Sequence, residues 1–432
     1  MTDKKRNQIL MVLFFGVLMG ALDIAIVGPA MPVIREKFGL TERMGSWIFG
    51  IYVLFNLIGT PLMAKLSDLF GRRNIYILDI LLFALGSLIT ATAVPPTLWV
   101  LLAGRGLQGL GAGGIFPVAS AVIGDTFPTE KRGSALGLIG AVFGIAFLFG
   151  PLLGSGILKI ASWNWLFLIN LPIAVVIVVL AFRILPNTRP QTTGHFDWVG
   201  MGLLAILLAS LAYGINQIET VHFFNSLVSP QVWPFLLVFV TCLILLINVE
   251  TKSSSPLLPP RLFGRRQLTL TYILSAAAGI GEVSMVFIPE MVRKSLNIQD
   301  PATAGLMMMP VILAMAVGSP MAGRFLDKLG SKSVILTGTA VMTIGMILMS
   351  ILSTSMVGFV ISSILIGIGL SALLGAPIRY IMLNESSQAD RSVAQGVAAL
   401  FTSTGQLLSG ALVGAIAASS GYPGAFLVIG IM

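Results

Sequence analysis

Asp23 stands near the middle of an apolar run over 8–34 and Arg105 inside another over 98–124. Glu282 lies inside a third run over 268–291, while Glu290 and Asp79 fall nearer the ends of their runs. A charge at the centre of a hydrocarbon layer costs about 3 kcal/mol on insertion scales, so ionisable residues there are kept for work or satisfied by neighbours. A carboxylate in such a place can take up a proton and sit neutral beside apolar walls, or stay ionised and hold a cation. Arg105 cannot shed its proton, so it needs acceptors or a carboxylate wherever it lies. Asp23 is its candidate partner. The plainer account of that pair is a clamp that fastens two helices. His195 and His222 both fall between apolar runs, so any proton carried within a run rides on carboxylates.

Other chemistries lack their residues. The single cysteine, Cys242, lies in an apolar run, which leaves no disulfide framework and no metal cluster. A phosphate-cradling G-x(4)-G-K-[ST] pattern is missing, and with it support for ATP-driven work. We find no nucleophile–base constellation and no metal-ligand spacing, so the expectation is neither an enzyme nor a cofactor-bound protein.

The elements that position these residues follow from composition. Hydrophobic residues make up 56% of 432 and charged residues 10%, with a mean hydropathy of +0.96. Too little charge remains to cover a water-exposed surface, so most of the solvent is lipid. Runs of about 20 apolar residues fit helices crossing a ~30 Å hydrocarbon core; the shorter alternating segments of a membrane barrel do not occur. We place spans at 8–34, 44–66, 75–94, 98–124, 133–158 and 164–183, then 197–217 and 231–250. Five more lie at 268–291, 302–323, 333–353, 356–380 and 391–418, and a last begins near Gly424. Only nine residues, 424–432, follow Pro423, too few for a crossing, which points to a truncated last helix.

The net charge of +9 raises nucleic acid as a partner, but its distribution explains it better. With the N-terminus inside, 19 of the 26 Lys and Arg residues fall in inner loops and six in outer ones, with Arg105 left inside a span. That bias sets both termini in the cytoplasm and excludes nucleic acid as the reason for the charge. The stretch from Glu250 to Gln267, rich in serine, proline and basic residues, is then an inner linker able to touch anionic lipid.

Gly59, Pro61, Lys65, Asp68, Gly71 and Arg73 recur 259 residues later as Gly318, Pro320, Arg324, Asp327, Gly330 and Lys332. Two copies of a six-span unit, with two spans inserted between them, account for this spacing. The segments are an N-terminal six-helix bundle over 1–190, two inserted helices over 191–252, a linker over 253–267 and a second six-helix bundle over 268–432. Parallel repeats of this kind suit transporters, with a binding site between the halves near mid-membrane. Met307, Met308, Met309 and Met315 offer adaptable side chains to a cavity, although ordinary core packing explains them as well.

Several motifs are more specific. Lys65-Leu-Ser-Asp-Leu-Phe-Gly-Arg-Arg73, Arg105-Gly-Leu-Gln-Gly-Leu-Gly-Ala-Gly113 and Gly150-Pro-Leu-Leu-Gly154 occur in order along the first half. Leu22-Asp-Ile-Ala-Ile-Val27, Trp163-Asn-Trp-Leu-Phe-Leu-Ile-Asn-Leu-Pro172 and His195-Phe-Asp-Trp198 accompany them. Together they resemble the major facilitator superfamily, and the two extra spans resemble its 14-span drug:proton antiporter branch. Ser155 stands where that branch has a second glycine, and Asn164 where arginine is common.

The resemblance implies an all-α polytopic fold of two six-helix bundles, acting as a monomer in the cell membrane. It implies proton-driven export of amphiphilic or drug-like molecules, with Asp23, Arg105, Glu282 and Glu290 as coupling or substrate-site candidates. It also implies a gating loop made of Lys65, Asp68, Gly71, Arg72 and Arg73 with Asp327, Gly330 and Lys332. The glycine series Gly144, Gly150 and Gly154 with Pro151 answers to the family's antiporter motif, expected to pack the halves tightly against leakage. The same scaffold also serves exporters dedicated to a lipid or an endogenous metabolite, and a non-cycling sensor built on it remains a third reading.

Overall fold

The computed structural model describes residues 2–40, 42–95, 97–187, 196–218, 223–253, 256–298 and 306–432. The first half holds α1 (Asp3–Phe38), α2 (Glu42–Phe70), α3 (Arg72–Thr92), α4 (Leu98–Thr126) and α5 (Thr129–Ile160). A bent rod of α6 (Trp165–Leu168) and α7 (Asn170–Ile184) completes it. The inserted pair is α8 (Trp198–Asn216) and α10 (Trp233–Lys252), with the short α9 (Phe223–Leu227) between them. The second half holds α11 (Arg266–Ser284) and α12 (Ile288–Ser295), joined by a 3-10 turn, then α13 (Met309–Leu329) and α14 (Ser331–Leu352). It ends with α15 (Met356–Leu374), α16 (Ala376–Glu385) and α17 (Arg391–Ile431). Among the described residues, eleven helices are long and apolar enough to cross a membrane, and no strand occurs. Helices satisfy every backbone group internally, which lipid demands.

We call the end of the bundle where α1 starts the near end. Successive rods alternate direction, so α2, α4 and α13 finish there, and α3, α5, α14 and α17 begin there. Two main cores form, and the first takes in Ala322, Leu326 and Leu383 of the second half. One is built around Leu13, Tyr76, Phe83 and Ile139; the other around Met346, Phe359, Ile366 and Phe426. Met307, Met308 and Met315 pack on that second core, the ordinary role for them. The inserted pair packs mainly on itself and on α2, where Leu204, Leu208 and Leu246 meet Leu57. Outside the pair's own contacts α10 stays largely uncovered, as expected of a lipid-facing helix.

The repeated motif has a structural reason at its glycine. Gly71 and Gly330 both adopt positive φ, 92° and 79°, between two helices that reverse direction at the near end. A side chain there would be strained, so both copies keep glycine.

Three span boundaries bear on the sequence expectation. Helix α13 runs without a break from Met309, with Pro310 in its first turn, where a missing N–H costs nothing; the start expected at 302 lies outside the described residues. The span expected over 268–291 is broken after Ser284 by the 3-10 turn ahead of Pro289. The last two expected spans stand as two helices that meet end to end at Gly421, whose φ of 74° is not helical.

Candidate functional site

Asp23 lies on α1 twenty residues past Asp3, about 30 Å from the near end at 1.5 Å per residue. Arg105 sits seven residues into α4, counted from the opposite end. The two meet. Arg105 Nη1 donates to Asp23 Oδ2 at 2.7 Å, and both side chains are essentially sealed from solvent. Gln108, one turn along α4, donates to Asp23 Oδ1 at 2.7 Å and also accepts from Arg105 Nη1 at 2.6 Å. Asn170 donates to the same Oδ1 at 3.1 Å. It reaches there from the first turn of α7, where Pro172 is tolerated. Ser87 on α3 accepts from both Gln108 and Asn170, at 2.8 and 3.2 Å.

Aromatic faces close the other sides of the cation. The Arg105 guanidinium lies 4.2 Å from the Tyr52 ring centroid and 5.7 Å from that of Phe167. Its Nε donates to the Ile48 carbonyl at 3.2 Å, while Nη2 has no hydrogen-bond partner among the described residues. A carboxylate accepting from three donors and facing one guanidinium is well supported while ionised. Adding a proton removes the charge that Arg105 answers. The same five side chains then have to redistribute their bonds, and the elements that carry them are α1, α3, α4 and α7.

The other carboxylates are placed separately. Glu282 Oε2 accepts from Gln406 Nε2 at 2.8 Å, joining α11 to α17 in the second half. Close packing makes that contact possible, because a Cβ at Gly279 or Gly405 would run into the facing backbone of Thr402 or Ala276. Glu290 belongs to α12, and its side chain lies outside the described residues. Asp79 is fully buried on α3 against Gly114, and neither of its oxygens has a hydrogen-bond partner among the described residues. His195 and His222 also lie outside the described residues.

The near end holds a second polar assembly that ties the halves together. Asp327 accepts from the backbone N–H groups of Gly133 and Ser134, each at 2.9 Å, at the N-terminal end of α5. A carboxylate there meets unsatisfied amides and the positive end of the helix dipole. The repeat offset carries Gly133 onto Ser392, in the first turn of α17, where side chains other than Asp68 make the contact. Ser67 Oγ donates to Ser392 Oγ at 2.8 Å, and Arg72 bonds Ser392 as well. Arg72 also pairs with Asp68 and with Asp125 (3.1 Å), and it donates to the Gln388 carbonyl at 3.1 Å. Arg391 adds a 2.6 Å bond to Asp125.

Not every residue of the expected gating loop joins this assembly. Lys65 donates to the Pro256 carbonyl at 2.7 Å. Arg73 lies 5.1 Å over the Phe182 ring, and Lys332 is exposed. Asp68 therefore uses Arg72 rather than Arg73, and Asp327 uses helix amides rather than Lys332. The glycine expectation also divides. A Cβ at Gly144 would strike Ala316 of α13, across the halves, whereas one at Gly150 or Gly154 would strike Ala25 or Ile26 of α1 in the same half. The Pro151 side chain lies outside the described residues. A close approach of the two halves uses Gly133, Gly137 and Gly144 on α5 against α13; of these the sequence motifs included Gly144 alone.

Sequence reasoning missed Gln108, Asn170 and Ser87. Gln108 and Asn170 sit inside motifs already quoted, and the signal available was register: Gln108 follows Arg105 by three residues, one helical turn.

A family profile described as Major Facilitator Superfamily matches residues 13–299 and 268–432. The chain is 34% identical over 416 residues to an uncharacterized MFS-type transporter, YfiU, of Bacillus subtilis (strain 168), covering 95% of this chain and 79% of that one. It is 30% identical over 419 residues to the multidrug transporter protein MdtP of the same organism, covering 96% and 76%. Among solved structures, the human organic anion transporter MFSD10 superposes with a TM-score of 0.71 at 16% identity, covering 99% of this chain and 97% of that one. The proton:xylose symporter XylE superposes at 0.70 and 15%, covering 100% and 94%. At those identities the two structures speak for the fold alone.

Proposed function

The chain belongs to the Major Facilitator Superfamily, and on that premise we propose that it is a proton-coupled exporter of amphiphilic compounds working by alternating access. It is a multi-pass membrane transporter of small molecules rather than an enzyme, in keeping with its family and its multidrug-transporter relatives. The observation that carries the finer reading is the Asp23–Arg105–Gln108–Asn170 cluster, a carboxylate inside the membrane whose three partners come from two other helices, α4 and α7.

In this reading the near end faces the cytoplasm, where the 19-to-6 bias of basic residues sets it. Arrival of a proton on Asp23 from outside frees Arg105 and loosens α1 from α4. Release of that proton inside restores the pair. The hydrogen bonds of Asp327 and Arg72 across the halves belong to the state that is shut at the cytoplasmic end, and they break when the halves rock. Each charge moved through 100 mV supplies about 2.3 kcal/mol, roughly fifty-fold in substrate concentration. We take the resting species as a monomer with no cofactor.

Asp23→Asn tests this. Asparagine keeps an acceptor toward Arg105 Nη1 but does not titrate. Purified variant in liposomes should fail to accumulate substrate on an imposed pH gradient, while gradient-free exchange of labelled substrate persists. Uphill transport at a near-normal rate would move the coupling site elsewhere, and Glu282 is the next carboxylate to try.

A further inference from the structure

Three arginines lie deep in the bundle, and two of them face carboxylates: Arg72 meets Asp68 and Asp125, and Arg105 meets Asp23. The third, Arg379, has no carboxylate partner among the described residues. It stands on α16, which restarts at Ala376 after the chain breaks at Gly375. Its Nη1 approaches the Gln395 carbonyl at 3.1 Å and Gln395 Oε1 at 3.4 Å, and Gln395 Nε2 returns a 2.7 Å bond to the Arg379 carbonyl. Those contacts engage one of the five N–H groups a guanidinium carries well, and a second at most.

The cation also bridges the halves. It lies 4.5 Å over the ring of Phe116 on α4, and Phe116 packs edge-on against Phe143 of α5 at 5.5 Å. Arg379 is far inside the molecule, yet its side chain and that of neighbouring Tyr380 remain partly accessible. Together these observations place the group on the border of an internal space between the halves. It stands just above the polar assembly that closes the near end. Glu282 does not neutralise it. Glu282's partner Gln406 is eleven residues beyond Gln395 on the same face of α17, about 16 Å along the helix, far beyond the reach of an ion pair.

An unpaired guanidinium, donors to spare and two phenyl rings form an incomplete recognition site. Leaving such a charge uncompensated is costly, and a planar anion is the complement that its fork fits. We propose that Arg379, with Gln395, Phe116 and Phe143, is a substrate subsite for the carboxylate or sulfonate head of an anionic amphiphile, whose aromatic body stacks on the two rings. This rests on the reading of the chain as an exporter of amphiphiles and specifies the charge of its cargo.

The test uses the full chain, purified in nanodiscs, and three probes with one aromatic body: 2-naphthylacetate, 2-naphthylacetamide and a naphthylmethyl-trimethylammonium. Calorimetric titration of the wild type should show the acid binding about tenfold or more tighter than the amide, the increment expected of a charge-assisted bidentate bond. Arg379→Gln should abolish that preference and leave amide affinity within about twofold, while Arg379→Lys retains part of it. Equal wild-type affinity for acid and amide, or no binding of the acid, overturns the proposal whatever the variants do. So does an Arg379→Gln protein that loses affinity for all three probes alike, since the residue would then hold the helices rather than the ligand. Equilibrium binding needs no gradient. Preference for the acid without pH-driven transport would therefore count against the exporter reading alone.

Discussion

Two carboxylates on the first half are buried to the same degree and treated in opposite ways. Asp23 accepts hydrogen bonds from three side chains; Asp79 accepts none among the described residues. A buried polar group left unsatisfied costs about 1–3 kcal/mol, more if charged. Asp79→Asn removes the ionisable group at constant size, so it should raise the apparent melting temperature of the purified protein by about 2–4 °C. A lower melting temperature would mean that Asp79 is held by a partner in the folded state. The ionisable residues were legible in the sequence because charge inside an apolar run is rare and expensive. Gln108, Asn170 and Ser87 were not, because uncharged polar side chains are common in spans and only three-dimensional register gathers them round Asp23. Arg379 was counted with the inner loops, since α16 is short and its depth depends on how it packs under Phe116.

At the scale of elements, apolar run length carried most of the information, because lipid permits little besides a continuous helix. It failed where backbone chemistry interrupts a run. Pro289 and the preceding turn split α11 from α12. The glycine series on α5 was legible as a feature but not in its direction. Gly144 and Gly150 are six residues apart, so they point about 120° away from full-turn alignment, more than enough to face different helices. Gly144 accordingly meets α13 while Gly150 meets α1. The repeated near-end turn was the most readable element, because positive φ at Gly71 and Gly330 leaves no other residue type comfortable.

For the whole molecule, the issue is whether the near-end assembly is a latch or a permanent weld. Ser67 Oγ and Ser392 Oγ are 2.8 Å apart on opposite halves, a separation suited to a disulfide between their replacements. In a Cys242→Ser background, Ser67→Cys with Ser392→Cys should cross-link on mild oxidation. Transport should then stop and return after reduction, if the halves part at this end in every cycle. Undiminished transport by the fully cross-linked protein would make the assembly a fixed joint and remove the gating role from Asp327 and Arg72.

The same assembly is built of hydroxyls, helix amides and ion pairs rather than apolar side chains. When it parts, each of those groups must find a replacement partner, and only water is available. Opening at this end is therefore a hydration reaction, and its equilibrium depends on water activity as well as on protons. Solutes excluded from the protein surface, such as sucrose, should shift the population toward the closed form. Spin labels placed on α5 and α13 should then report shorter distances as sucrose rises, and an unchanged distribution would show that little water enters the gap.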